Sequence, residues 1–213
     1  MRTFKPVVLS SALVMVLAAS SAMADSRTHR LRGDFAFTGS TVCVNSGANF
    51  AFTPPTPPLG FTADLVPIGP SFVNTNSVQG VLTFNGDGTG SSVSRFVSLG
   101  NPGAAGAFDS SVQFTYSVAT DGTLTIDNGP SISVTVAGPN TGQQSRISDV
   151  PTFIGRLSSD GKSLTFATFN PGVETVTRVV PAPEVVTTLR ICHRNRIGIR
   201  ISKKPGSGGH GED

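Results

Sequence analysis

Tryptophan is absent from this chain, and the sequence contains one tyrosine, two cysteines and three histidines. Outer-membrane barrels carry girdles of aromatic residues at both membrane interfaces, so this composition disfavours that class. Nucleic acid binding is also not expected, because base stacking needs aromatic rings and none lies among the basic residues near the C-terminus. After residue 24, no stretch reaches the roughly 18 uninterrupted apolar residues of a transmembrane helix.

The chain also lacks the groupings that catalysis and metal binding require. The motifs G-x-S-x-G, H-E-x-x-H and C-x-x-C do not occur. Of the histidines, only His193 lies in a strand-like segment, where a surface histidine beside Cys192 is the simplest interpretation. We therefore expect no enzyme activity, no catalytic residue, no metal site and no cofactor. The carboxylates that could form a pair are scattered along the chain: Asp34, Asp109, Asp127, Asp149 and Glu174.

The first 24 residues have the features of a secretory signal peptide. Arg2 and Lys5 precede an apolar run over residues 7–19, and an A-x-A cleavage site ends at Ala24. This pattern predicts cleavage after Ala24 and a secreted or periplasmic protein. Residues 25–204 are then long enough for one domain with a sizeable core.

The two cysteines lie near the two ends of the exported part. Cys43 falls in the first strand-like segment and Cys192 in the last. Because an oxidising compartment favours disulfides, we expect a Cys43–Cys192 bond that joins the first and last strands. A bond between those strands favours closure of the sheet.

Strand patterning recurs through the chain at short spacing. Gly33–Val44 alternates in period two, and Asn-Gly or Asp-Gly turns separate the later segments. The pieces TFNGDGTG, VATDGTLTI and LSSDGKSLTF use the same hairpin chemistry. These features predict an all-β protein, an antiparallel up-and-down barrel of about 8–10 strands, with a β-sandwich as the alternative. Residues 205–213 are rich in glycine and are predicted to be a disordered tail.

Residues 45–77 interrupt the strands with six prolines, yet they are also apolar. A long proline-rich loop of this kind is often a lid or binding loop.

The segments GDFAFTGS, GVLTFNGDGTGS and LSSDGKSLTF resemble small secreted bacterial proteins of unknown function with a lipocalin-like (calycin-like) β-barrel. In lipocalins a G-x-W motif lies near the first strand, and Gly33-Asp34-Phe35 holds that place here. The resemblance implies a barrel fold and no catalytic residue.

Two functions follow as expectations. An eight-stranded barrel has room inside for side chains or for one small ligand, so the leading hypothesis is non-enzymatic binding of a small apolar molecule. The alternative is an envelope or surface interaction protein with a filled core, whose basic C-terminal strand contacts an anionic surface. The expected pocket or lid residues are Phe50, Phe52, Phe61, Phe72, Phe84, Phe114, Tyr116 and Phe166. The expected anionic-surface contacts are Arg190, Arg194, Arg196, Arg200, Lys203 and Lys204.

Overall fold

The computed structural model describes residues 27–46, 60–100, 105–180 and 187–202. Within them, one helical turn at residues 27–30 precedes a series of antiparallel strands. The strands are β1 (Arg32–Ser46), β2 (Ser71–Asn85), β3 (Thr89–Gly100), β4 (Ala105–Val118), β5 (Thr123–Asn128), β6 (Ser131–Ala137), β7 (Gln144–Ser148), β8 (Phe153–Leu157), β9 (Ser163–Thr168), β10 (Val173–Val180) and β11 (Thr187–Arg200).

Eight of these strands form a closed, barrel-like ring. Their order is β1-β2-β3-β4-β5-β8-β9-β11, and β11 pairs with β1 over twelve residue pairs to close it. Strands β1 to β5 follow one another as a meander. The order then departs from a simple up-and-down path, because β6, β7 and β10 form a second connection from β4 to β11. Strand β6 pairs with β4 and β7, and β10 pairs with β7 and β11.

The wall between β4 and β11 consists of two short sheets, one at each end of the ring. Residues 114–118 of β4 pair with β5, whereas residues 107–111 pair with β6. Strand β11 divides in the same way, since residues 195–199 pair with β9 and residues 187–191 pair with β10. We call the end of the ring at which β5, β8 and β9 lie the core end, and the end at which β6, β7 and β10 lie the disulfide end.

Local turn chemistry explains three of the hairpins. Gly86 and Gly88, which connect β2 to β3, have φ of 87° and 88°, a region that glycine enters without steric cost. In each hairpin an aspartate Oδ1 accepts the backbone N–H of the residue two positions later, which favours the turn. The pairs are Asp87–Thr89, Asp121–Thr123 and Asp160–Lys162, at 2.8, 2.9 and 3.0 Å. The predicted recurrence of one hairpin chemistry is confirmed.

The hydrophobic core fills the core end. Phe84 is fully buried and meets the rings of Phe35, Phe114 and Tyr116 edge to face, with centroids 4.8–5.5 Å apart. Such contacts stabilise aromatic pairs beyond simple burial. The Tyr116 hydroxyl accepts the Gly86 N–H at 2.9 Å and donates to the Leu31 carbonyl at 2.6 Å. These bonds attach the 27–31 segment across this end of the ring.

The prediction of an all-β antiparallel fold is confirmed. The predicted loop 45–77 is shorter at both ends, because β1 continues to Ser46 and β2 begins at Ser71. The predicted signal peptide (residues 1–24), the middle of that loop and the tail (205–213) lie outside the described residues. In the part of the chain that the structure describes, no helix has the length and apolar character needed to cross a membrane.

Candidate functional site

The predicted disulfide is present. Cys43 and Cys192 lie directly opposite each other in the β1–β11 register and are joined by an S–S bond of 2.04 Å. Both side chains are buried inside the ring. The bond therefore joins the first and last strands at the point where the ring closes, as the spacing of the cysteines indicated.

The predicted pocket residues lie in two separate places. Phe84, Phe114, Tyr116 and Phe166 are buried in the core end, where they contact one another or Phe153. Phe72 pairs with Asn45 at the disulfide end, and Phe61 forms an isolated bridge with Pro67 outside the named strands. Phe50 and Phe52 lie outside the described residues. The structure therefore does not bring the predicted set together as one pocket.

The basic strand β11 turns its arginines toward the inside of the ring. Side chains alternate along a strand, so Arg190, Arg194, Arg196 and Arg200 share the face of the buried Cys192. Arg194 and Arg196 are each only 7% exposed. This position does not suit the predicted contact of these two residues with an anionic surface. The inward orientation of Arg194 and Arg196 follows from their even spacing from Cys192, because residues an even number of positions apart on a strand face the same side. Lys203 and Lys204 lie outside the described residues.

A buried carboxylate lies between two of these arginines. Glu174 on β10 is fully buried, and its Oε2 accepts from Arg194 Nη2 at 2.6 Å and from Arg190 Nε at 3.0 Å. Its Oε1 accepts from Arg194 Nη1. Burial alone would raise the pKa of Glu174, but the hydrogen bonds and charges of Arg194 and Arg190 outweigh it and lower the pKa. Glu174 is therefore ionised at neutral pH.

Arg196 has a different environment. Its Nη1 donates to the carbonyls of Ser40 and Asn195 at 2.6 and 2.7 Å, and its Nη2 donates to Thr41 Oγ1 at 2.9 Å. No carboxylate of the described residues pairs with it. Desolvation, aided by the charge of Arg194, lowers the pKa of Arg196 to about 9. The guanidinium group is thus a buried cation held by neutral oxygens.

At the other end of β11, Arg200 lies over the Phe35 ring, 4.7 Å from its centroid, and donates from Nε to the Gly161 carbonyl at 2.9 Å. Desolvation lowers the pKa of this guanidinium.

A concavity of about 980 Å³ lies on the outer face of the ring. We call it the outer trough. It crosses six neighbouring strands, in the order β11, β1, β2, β3, β4 and β6. Gly80, Ser94 and Ser110 lie on the inner face of β2, β3 and β4 at this height, and a Cβ on Gly80 would lie 2.3 Å from the Val93 carbonyl oxygen. A side chain at position 80 would therefore collide with the backbone of β3. No local pattern marks this site, because its residues come from six strands and alternate with small or polar residues such as Gly80, Ser94 and Ser110.

The register places the residues of the outer trough in two parallel rows. One row is mainly aliphatic, and the directly paired residues that form it are Ile199, Ala36, Val81, Val93, Ser111 and Ile132. The second row has aliphatic ends and a polar middle, and it consists of Ile197, Thr38, Gln79, Arg95, Asp109 and Val134.

The polar row contains an ion pair at its centre. Arg95 donates from Nε and Nη2 to the two carboxylate oxygens of Asp109 at 2.6 and 2.7 Å. The hydrogen bond and charge of Arg95 lower the pKa of Asp109. The outer trough therefore presents an apolar strip beside a polar one.

Among the described residues, no three His, Cys, Asp or Glu side chains are grouped so that they could hold a metal ion. Comparisons with protein-family models, curated proteins and solved structures give no match for this chain. The lipocalin-like resemblance therefore remains a prediction, and a functional argument rests on the geometry of the site alone.

Proposed function

We propose that this protein is a non-enzymatic binding protein that holds an elongated apolar molecule, of the single-acyl-chain class, in the outer trough. The observation that carries this proposal is the concavity of about 980 Å³ with an aliphatic row along it. Soluble proteins seldom leave large contiguous apolar surfaces without a binding role. The ligand class is the one predicted from the sequence, but the site lies outside the ring rather than within it.

The dimensions of the outer trough favour an extended ligand. Its rows cross six strands, and five interstrand spacings of about 4.8 Å give a length of about 24 Å. Val93 and Ile199 in the aliphatic row are 60% and 61% exposed, so much apolar surface is available to a ligand. An extended hydrocarbon chain covers such a row better than a compact molecule does.

Affinity is expected to depend on chain length. A fully buried methylene contributes about 0.8 kcal/mol, and an open trough that covers one side of the chain retains about half of that. Shortening a saturated fatty acid by four carbons is then expected to cost about 1.6 kcal/mol, or about fifteen-fold in Kd.

The test compares two substitutions on the same strand. Val93 lies in the outer trough, whereas Leu99 is an outward residue of β3 with nearly the same exposure, 61%, that does not line it. Displacement of a fluorescent fatty acid should show much weaker binding for Val93→Glu and wild-type binding for Leu99→Glu. Equal binding by all three proteins, or equal loss in both variants, would refute the proposal.

Export is part of the proposal. The Cys43–Cys192 bond is consistent with an oxidising compartment, and a signal peptide over residues 1–24, removed by cleavage after Ala24, would direct the chain there. Intact mass spectrometry of the protein, purified from a host that exports it, is expected to give a chain that begins at Asp25. The alternative function, contact of the basic strand with an anionic envelope surface, is not favoured by a specific observation, because Arg194 and Arg196 are buried.

A further inference from the structure

The polar residues of the outer trough are concentrated in its middle. The polar row has charged or amide side chains on β2, β3 and β4, a threonine on β1, and an aliphatic residue at each end. In strand order its members are Ile197, Thr38, Gln79, Arg95, Asp109 and Val134. Four neighbouring strands at a spacing of about 4.8 Å give the polar stretch a length of about 14 Å, within a trough of about 24 Å. A molecule that follows the trough therefore meets most of the polar groups along its central part.

The Arg95–Asp109 ion pair keeps hydrogen-bonding capacity for a further group. Arg95 donates to Asp109 from Nε and Nη2, whereas its Nη1 forms no hydrogen bond with the described residues. Each oxygen of an ionised carboxylate has two acceptor positions, and Arg95 occupies one on each. The side chains of Arg95 and Asp109 are 55% and 47% exposed, and both line the outer trough. A ligand group placed here can accept from Arg95 and donate to Asp109.

The ion pair has no net charge, and this disfavours a charged ligand group beside it. Arg95 lowers the pKa of Asp109, so the carboxylate is ionised at neutral pH next to a permanently charged guanidinium. Asp109 would repel a second carboxylate, and Arg95 would repel an ammonium group. A hydroxyl is neutral and both donates and accepts, so it is the smallest group that complements the pair.

A plain hydrocarbon chain is a poorer match for the middle of the trough. Methylenes that cover Arg95 and Asp109 displace water from two charged groups without replacing its hydrogen bonds, which is unfavourable. The aliphatic and polar rows lie two residues apart on each strand, or about 7 Å, so a chain between them is within reach of both. A hydroxyl on such a chain replaces the hydrogen bonds that the displaced water made.

We propose that the outer trough prefers an acyl chain with a hydroxyl group near its middle, and that Arg95 and Asp109 determine this preference. The preference rests on the function proposed above, because it concerns the ligand of the same site. A hydroxyl next to the carboxyl group of the chain would instead lie beside Ile197 or Val134, at the aliphatic ends of the polar row. The affinity therefore depends on the position of the hydroxyl along the chain.

Displacement of a fluorescent fatty acid from the oxidised mature chain tests this preference. The competitors are octadecanoic acid, 10-hydroxyoctadecanoic acid and 2-hydroxyoctadecanoic acid, which share their chain length and their carboxylate. The 10-hydroxy acid should bind about five-fold more tightly than the other two, because one net hydrogen bond is worth about that factor in Kd.

A double substitution removes the ion pair and keeps the rest of the trough. Arg95→Met with Asp109→Leu makes the polar row mainly apolar, so this variant should bind octadecanoic acid at least as tightly as the wild type does. It should also lose the preference for the 10-hydroxy acid. Both side chains are about half-exposed, so the replacements should not prevent folding. The control is Arg156→Met, which breaks the exposed ion pair with Asp121 outside the trough and should keep the preference.

The wild-type measurement is decisive by itself if the double variant does not fold. Equal affinities for the three acids, or binding of the 2-hydroxy acid as tight as that of the 10-hydroxy acid, would overturn this proposal and leave the proposed function intact. The same preference in the double variant would also overturn it, because the hydroxyl would then be recognised elsewhere. If none of the three acids displaces the probe, the function proposed for the outer trough is refuted together with the preference.

Discussion

The buried ion cluster offers the sharpest test of the structure. Replacing Glu174 by Gln leaves the size of the side chain almost unchanged but removes the charge that Arg190 and Arg194 share. Breaking a buried pair by removing one partner typically costs about 3–5 kcal/mol, because the remaining charges are left uncompensated. That is a large part of the roughly 5–15 kcal/mol that stabilises a domain.

Equilibrium unfolding in urea at neutral pH measures this loss. The matched control is Asp109→Asn, the same carboxylate-to-amide change in the half-exposed ion pair with Arg95. Exposed ion pairs contribute little, so this variant should unfold at nearly the wild-type urea concentration. If Glu174→Gln also unfolds like the wild type, the cluster does not stabilise the fold and the reasoning is wrong.

The difference in stability between the wild type and Glu174→Gln should also depend on pH. The pKa of Glu174 is lowered by folding from its usual value of 4.5, so its contribution to stability is fully present above that value. This contribution is lost as the pH falls through the pKa that Glu174 has in the folded protein, because the unfolded chain binds the proton more readily than the folded chain does. The difference in unfolding free energy between the wild type and Glu174→Gln should therefore shrink below about pH 4.5. A constant difference between pH 7 and pH 3 would contradict this origin.

Two further predictions concern the ends of the ring. Replacing both Cys43 and Cys192 by Ser should lower the unfolding free energy by up to about 5 kcal/mol, because the bond closes a loop across a sequence separation of 149 residues in the unfolded chain. Urea unfolding of the oxidised wild type and the double variant tests this, and equal midpoints would contradict it. Tyr116→Phe should cost about 1–3 kcal/mol, since it leaves the Gly86 N–H unpaired at the buried end. Thermal unfolding measures this loss, and Tyr116→Phe as stable as the wild type would show that the hydroxyl bridge is dispensable.

The sequence was informative where structure depends on neighbours in the chain. Asp121 and Gly122 form a turn because the aspartate oxygen and the permissive glycine act within a few residues, and this local chemistry can be read directly. Period-two alternation around Phe35 likewise predicts a half-buried strand. The cysteine spacing adds one long-range contact, and with it the pairing of the first and last strands.

The direction of the β11 side chains was within reach of the sequence but was not deduced. A buried Cys192 places Arg194 and Arg196 on the same inward face, since side chains alternate by two. Composition favoured the opposite interpretation, because charged residues are rarely buried unless they are paired. Their partner, Glu174, lies on another strand, and nothing local connects it to Arg194.

By itself, the sequence determined the class of fold, the hairpins and the closing disulfide, because short-range turn chemistry and alternation decide them. Only the tertiary structure decided that β4 and β11 each change partner halfway along the ring. It also decided that Val93 and Ile199 lie in one outer row, while Glu174 meets two arginines inside. These arrangements depend on pairings between strands that are distant in the chain, and a single residue of register shift would reverse which face each side chain occupies.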